Sequence, residues 1–522
     1  MSANGDPKNE GDGSADPVEA ARAAPPLARW WVARGGVGKI AFYGWAMLVV
    51  TLLATMATSP GQSFIVGGTF SESIRGDLGV SLSQFSAAYM VATFCASLPL
   101  TLVGRLGDRF GTRAVMGGVA SLLGAACLFV GGAAWGVEAL SLEGATRTGV
   151  ALVALTVSFF LLRFLGQGAL GLVASHALAM WFERRLGLAE ALRHMGMPVA
   201  VAVLPAVTLV LIDALGWRFA YAVLGVAVWA LVLPAVVLAY VNRPEAIGQH
   251  LDGERTEPPT EEERREGSEP DGDAWRDDDA DVELDAPAVG DAGDAHQRAA
   301  AGTRVSADPA APGELGGVGR QFTLREALRT QAYWIVTSSM VLSAAVGTAF
   351  VFHTQPMLAD LGFGKTAAAA AVGTLGLVSL IVTLPFGWLV DRVKPARLLP
   401  ASTALLGAAC GCYALASTAP EGDAFGVPFA LLTVHAGFAL LGLSQGMLFL
   451  LASPIFARYY GRRHHGAIRG SLTTFMVVGT SAGPFVFAVW RDLSGGFEAP
   501  YAWTAAATAP LVIWALWLKR PA

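Results

Sequence analysis

Long apolar runs separated by short polar loops dominate this sequence and restrict the folds open to it. Each run is about 20 residues long, the length that an α-helix needs to cross a bilayer. We predict spans at 41–64, 85–103, 114–132, 191–212, 221–241, 333–353, 367–390, 398–417, 425–451, 473–490 and 503–518, with one more around Arg163. Because every backbone polar group must be bonded inside lipid, we predict an all-α membrane protein with about twelve transmembrane helices.

One loop between two of these runs, Gly104 to Val115, predicts the orientation of the chain. It reads G-R-L-G-D-R-F-G-T-R-A-V and carries Arg105, Arg109 and Arg113. Positive charges next to spans mark the cytoplasmic side. The sequence therefore predicts a protein of the plasma (inner) membrane with this loop and both termini in the cytoplasm.

The same loop pattern recurs in the second half of the chain. Four of its residues, Gly104, Leu106, Asp108 and Arg109, return as Gly387, Leu389, Asp391 and Arg392 at an offset of 283 (391 minus 108). A repeat of this kind predicts two pseudo-symmetric six-helix bundles, with the binding site near the membrane midplane between them.

Composition divides the chain into four parts. Only 15% of the 522 residues are charged, against roughly 25% in soluble domains, and the acidic ones concentrate in one central segment. We predict a disordered cytoplasmic tail (1–38), a first six-helix bundle (39–245), an acidic disordered cytoplasmic linker (246–320) and a second bundle (321–522). Thr323 and Glu326 have the spacing of a capping box before the seventh span.

The 104–115 stretch, with its repeat, resembles the loop between helices two and three of the major facilitator superfamily of secondary transporters. Tyr43-Gly44-Trp45, Trp181 to Ala189 and Thr323 to Arg329 are similar to the branch that contains monocarboxylate porters and oxalate/formate exchangers. Where carboxylate carriers of that branch place cations, this chain has Thr383 and Gln62.

The resemblance also implies a gate at the cytoplasmic face. In the family the loop aspartate meets a helix N-terminus of the opposite half, which would place Asp108 near Gly470 and Asp391 near the start of the fifth span. A carboxylate is favoured at a helix N-terminus. The predicted gating residues are Gly104, Asp108, Arg109, Gly111, Arg113, Gly387, Asp391 and Arg392.

Arg163 is the main candidate for binding the solute or a coupling ion, since charged residues inside a span are costly and usually functional. It resembles the fourth-span arginine of proton-coupled facilitators; the alternative is a packing role with bonds to backbone carbonyls. Further polar candidates in the spans are Gln62, Gln167, His176, His353, Gln355, His435 and Gln445, each with a packing alternative. No Asp or Glu is predicted well inside a span.

Three functions remain open at this point. The first is a secondary active transporter of a small organic solute, such as a carboxylate. Such a transporter works with or without a coupling proton or ion. The second is an efflux pump for apolar compounds, and the third a non-transporting sensor on the same fold. The sequence indicates no enzyme, cofactor, metal site or nucleic-acid partner; the expected partners are the small solute and the lipid bilayer, and a monomer is expected.

Overall fold

The structure is a computed structural model that describes residues 25–33, 42–253, 321–393, 395–418, 422–424, 427–461 and 465–521. Some side chains within these ranges, including those of Asp108 and Asp391, are not described. The described residues on both sides of the central segment, 42–253 and 321–521, belong to one compact unit.

The first half consists of antiparallel helices joined by short turns. They are α1 (Pro26–Ala33), α2 (Gly44–Ala57), α3 (Ser63–Val66), α4 (Ser71–Leu78), α5 (Leu82–Ser97), α6 (Leu100–Phe110), α7 (Thr112–Ala139), α8 (Gly144–Leu162), α9 (Gly171–Ala179), α10 (Leu186–His194), α11 (Gly196–Leu215) and α12 (Trp217–Leu238). A 3₁₀-helix, Ser59–Gly61, joins α2 to α3, and a π-helix, Arg163–Leu170, joins α8 to α9. Two of the spans are therefore irregular.

The second half repeats this plan. Its helices are α13 (Leu324–Ala327), α14 (Gln331–Phe352), α15 (Thr354–Asp360), α16 (Lys365–Arg392), α17 (Pro395–Ala416), α18 (Phe429–Tyr460), α19 (His465–Ser494) and α20 (Glu498–Leu516). Between α17 and α18 the short strands β1 (Asp423–Ala424) and β2 (Val427–Pro428) pair antiparallel. The capping box is confirmed: the Glu326 backbone N–H donates to Thr323 Oγ1, and the Thr323 N–H donates to Glu326 Oε2.

Within the described residues, ten helices are long and apolar enough to cross a membrane. The number becomes eleven if α4 and α5, which meet at a bend of 111°, form one span. The last helix, α20, is not among them. The all-α membrane fold is thus confirmed, while the number twelve stays a prediction.

The sequence predicts a loop at Gly104–Val115, but in the structure this stretch is the junction of two helices. Helix α6 continues to Phe110 and α7 begins at Thr112, so the turn consists of Gly111 alone. Gly111 has φ +81°, a conformation open to glycine and unfavourable for other residues. Both helices therefore extend beyond the apolar runs from which the loop was predicted.

Two segments predicted to be disordered contain folded residues. In the tail, α1 packs on the first bundle, with the Trp31 ring 5.7 Å from that of Tyr43. In the linker, residues 246–253 turn back, and the carboxylate of Asp252 accepts hydrogen bonds from the backbone N–H groups of Glu183 and Arg184. These N–H groups precede α10, where an anionic acceptor is favoured. Residues 254–320 lie outside the described part.

The buried apolar side chains form two clusters. We call the end of the molecule with Gly111, His194 and Tyr460 the inner end, following the predicted orientation, and the opposite end the outer end. The larger cluster contains the first bundle together with the outer half of the second. The smaller cluster contains the inner half of the second bundle. In the described residues, the apolar core joining the bundles thus lies toward the outer end.

Candidate functional site

The first span breaks near its outer end, at Pro60 and Gly61. Ser59–Gly61 form a 3₁₀-helix, and Gln62 is extended with φ −81° and ψ 154° before α3 begins. Proline has no N–H to donate, and a broken span leaves carbonyl groups that need partners from neighbouring helices. One such carbonyl belongs to Gly61.

Arg163 supplies the partner for that carbonyl. Its Nη1 donates to the Gly61 oxygen at 3.3 Å, and its guanidinium carbon lies 5.1 Å from the centre of the Tyr89 ring. The residue is 5% exposed, and its Nε has no hydrogen-bond partner among the described residues. Arg163 also starts the π-helix, a geometry often found at functional sites. The Nε donor of this buried cation is thus left for a further acceptor.

An aromatic layer from both bundles surrounds Tyr89, the ring that contacts Arg163. Phe352 of the second bundle lies 4.6 Å from Tyr89 and 5.7 Å from Phe85, measured between ring centres. Its ring also packs against Gly67, where an added Cβ would lie only 2.3 Å away. The bundles therefore meet at Tyr89, whose ring lies between Phe352 of the second bundle and the Arg163 side chain.

The segment after Phe352 strengthens this contact. Gln355 Nε2 donates to the backbone oxygen of Thr69 in the first bundle at 2.9 Å. His353 instead stays within its own bundle, where Nε2 donates to the Pro484 oxygen at 2.7 Å. Gln355 thus contributes to the closure of the outer end, whereas the contacts of His353 are those of a core histidine.

The remaining polar candidates are dispersed. Gln62 Nε2 donates to Thr58 Oγ1 at 3.4 Å, and Gln167 is exposed on the π-helix. His435 Nδ1 lies 2.8 Å from Thr374 Oγ1, and Gln445 packs against Gly347. His176 lies on α9 near Gly107. No hydrogen bond among the described residues joins these side chains to Arg163, so their role in a common site stays a prediction.

The predicted gating residues occupy the inner end. Arg113 donates from Nε and Nη2 to the oxygens of Val236 and Val237, and its backbone N–H donates to Asn242 Oδ1. It thereby satisfies carbonyl groups at the end of α12. Arg109 and Arg392 are exposed, and Gly104 and Gly387 lie within α6 and α16. The side chains of Asp108 and Asp391, on which the gating prediction depends, lie outside the described part.

The structure shows a charged cluster on α10 that is not among the site residues predicted from the sequence. Glu190 and Arg193 form a salt bridge of 2.7 Å, and His194 lies next to them. The predicted fifth span began at residue 191, but the apolar helical segment runs from Leu186 to Leu215 and includes all three. Their spacing of three and four residues, which places side chains on one helix face, is the signal that identifies them.

The comparisons with known proteins agree with this architecture. The Major Facilitator Superfamily profile matches residues 40–484. A search of curated proteins finds no match. Among solved structures, the crystal structure of a D-xylose–proton symporter superposes with a TM-score of 0.58 and 15% sequence identity, covering 92% of this chain and 98% of the symporter. That structural likeness concerns the fold, and the profile match extends over most of the sequence. The chain belongs to the Major Facilitator Superfamily.

Proposed function

We propose that this protein is a secondary active transporter that moves a small organic solute by alternating opening of its two ends. One observation carries the proposal: the larger apolar cluster joins the first bundle to the outer half of the second, while the inner half of the second bundle has a cluster of its own. This arrangement supports a transporter that is closed at its outer end and open at its inner end. Superfamily membership supports the same function.

Arg163 favours a solute with an anionic group. It is a buried cation whose Nε lacks a partner among the described residues, and a carboxylate pairs well with a guanidinium. The resemblance to carboxylate porters points the same way, although this chain has Gln62 and Thr383 where those carriers place cations. The proposal includes a monomer in the plasma membrane with both termini in the cytoplasm.

Binding and flux of defined solutes test this function. We expect oxalate or L-lactate, but neither their uncharged amides nor D-xylose, to raise the melting temperature of the purified protein, because a ligand that binds the folded state stabilises it. The same anion should then exchange in proteoliposomes loaded with unlabelled solute, with empty liposomes as control. Stabilisation without exchange would identify a sensor, and stabilisation by apolar compounds alone would identify an efflux pump.

A further inference from the structure

Helices α7 and α12 of the first bundle touch near their middles and separate toward the inner end. At the contact, a Cβ added at Gly225 would lie 2.6 Å from the Gly124 oxygen. Nearer the inner end of α7, a Cβ added at Gly118 meets no atom within 4 Å. The gap that opens there is a surface groove of about 430 Å³.

The groove is apolar along its length. Its floor consists of small residues on one face of α7, namely Ala114, Gly117, Gly118 and Ser121. The Ser121 hydroxyl donates to the Gly117 oxygen at 2.8 Å and is therefore satisfied. A second cavity, of about 570 Å³, shares Leu233 and Val237 with the first and continues along α12 to Val226.

The length of the groove matches one half of a bilayer. From Val237 to Val226 the rise of an α-helix amounts to about 17 Å. The hydrocarbon core of a bilayer is roughly 30 Å thick, so each leaflet contributes about half of that. One acyl chain of the leaflet at the inner end therefore fits the groove from end to end.

The inner mouth of the groove is basic. Arg113 and Asn242 line it together with Phe110, whose ring centre lies 5.2 Å from the guanidinium carbon of the exposed Arg109. Arg113 donates to backbone oxygens of α12 from Nε and Nη2, and its Nη1 makes no hydrogen bond to a described residue. Among the described residues that line the two cavities, none is acidic.

An anionic phospholipid fits this groove better than a second copy of the chain does. A phosphate pairs well with arginine, and basic pockets between spans on the cytoplasmic side of membrane proteins bind anionic headgroups. Two copies that share one membrane orientation meet about a twofold axis. Each would then bring its own Arg109 and Arg113 to the same depth as those of the other, where like charges repel.

We propose that the groove between α7 and α12 binds one anionic glycerophospholipid from the leaflet at the inner end. The phosphate lies at Arg109 and Arg113, and one acyl chain lies over Gly117 and Gly118. The lipid thereby fills the space that the diverging helices leave open. This inference does not depend on the solute or on the function proposed above.

Lipid binding to the purified, delipidated full-length protein tests the site. Native mass spectrometry counts bound phosphatidylglycerol, and thermal unfolding measures the stabilisation that a ligand of the folded state produces. We expect one tightly retained phosphatidylglycerol on each monomer and a higher melting temperature. Phosphatidylcholine with the same acyl chains, which has no net charge, and inorganic phosphate, which has no acyl chain, should each have a smaller effect.

A matched pair of glycine variants locates the lipid. Gly118→Leu fills the groove without displacing a neighbouring atom, so we expect it to fold and to lose the retained phosphatidylglycerol. Gly132→Leu is the control, because Gly132 is also an exposed glycine of α7 with no atom within 4 Å of an added Cβ, and it lies outside the groove. Equal retention of phosphatidylglycerol by the two variants contradicts the proposal.

A second pair tests the headgroup contact. Arg109→Gln should weaken phosphatidylglycerol binding about fivefold, the effect of one cation near an anionic membrane surface. Arg105→Gln, an exposed arginine on the same helix α6 that does not line the groove, should leave the affinity unchanged. Three results would overturn the proposal: equal affinity for phosphatidylcholine, equal stabilisation by inorganic phosphate, or a dimer that Gly118→Leu dissociates, which would assign the groove to a second copy.

Discussion

Arg163 is a cation in the middle of a span, and the partners it has found are a carbonyl and an aromatic face. The Gly61 oxygen is available because the first span breaks there, and Tyr89 presents its ring from the neighbouring span. A desolvated cation over an aromatic ring gains about 2 kcal/mol, which offsets part of the cost of burial. These two contacts therefore stabilise the guanidinium before any solute arrives.

Substitution of Arg163 separates binding from packing. Arg163→Lys keeps the charge but lacks the planar pair of donors that suits a carboxylate. We expect it to fold and to bind oxalate at least tenfold more weakly, a loss of about 1.4 kcal/mol, and Arg163→Gln to abolish binding. Calorimetry and melting temperatures measured on both variants check this. A lower melting temperature with unchanged affinity would assign Arg163 a packing role instead.

At the scale of elements, α11 of the first bundle and α16 of the second lie so close together that only glycine fits at position 376. A Cβ added at Gly376 would lie 2.4 Å from the Ala202 nitrogen and 2.9 Å from the Pro198 oxygen. Backbone atoms of a helix cannot rotate away as the end of a side chain can. Any larger residue at position 376 must therefore push the two helices apart.

Gly376→Ala should consequently destabilise this conformation, by about 1–3 kcal/mol if the cost resembles that of overpacking a core. Thermal unfolding of the purified protein measures the effect. Gly411→Ala on α17 is the matched control, since an added Cβ there meets no atom within 4 Å and alanine favours the helix. Equal melting temperatures for the two variants would show that the helices adjust without cost.

For the molecule as a whole, closure at the outer end is the feature that transport must reverse. Lys365 of the second bundle and Asp213 of the first form an exposed ion pair of 3.4 Å. A surface pair contributes only about 0–1 kcal/mol, so it does not hold the bundles together. It does mark two positions that are close when the outer end is closed.

A cross-link between those positions should stop transport. With native cysteines replaced, Asp213→Cys and Lys365→Cys joined by a reducible bifunctional reagent should block solute exchange, and reduction should restore it. The control pair is Asp360→Cys with Arg491→Cys, whose native side chains are 2.7 Å apart within the second bundle; its cross-link should leave exchange intact. Full exchange by the 213–365 cross-linked protein would argue against opening at this end.

Local patterns were sufficient to predict much of this protein. The apolar runs and the capping box of Thr323 and Glu326 depend on residues within a few positions of one another. They could be inferred because lipid burial and a helix cap are local requirements. Arg163 was singled out for the same reason, since a cation in an apolar run is visible without a fold.

Tertiary packing decided the rest. The Gly104–Val115 junction is helical because its neighbours bind it, as Asn242 and the end of α12 do through Arg113. Arg193 lies 138 residues from Thr55, its partner, and no spacing rule connects positions so far apart. From the sequence alone, a charged pair at the end of an apolar run looks the same as two charges in a solvated loop. The packing of the surrounding helices distinguishes the two cases. Burial makes the pair a candidate site, and burial is a property of the assembled bundle.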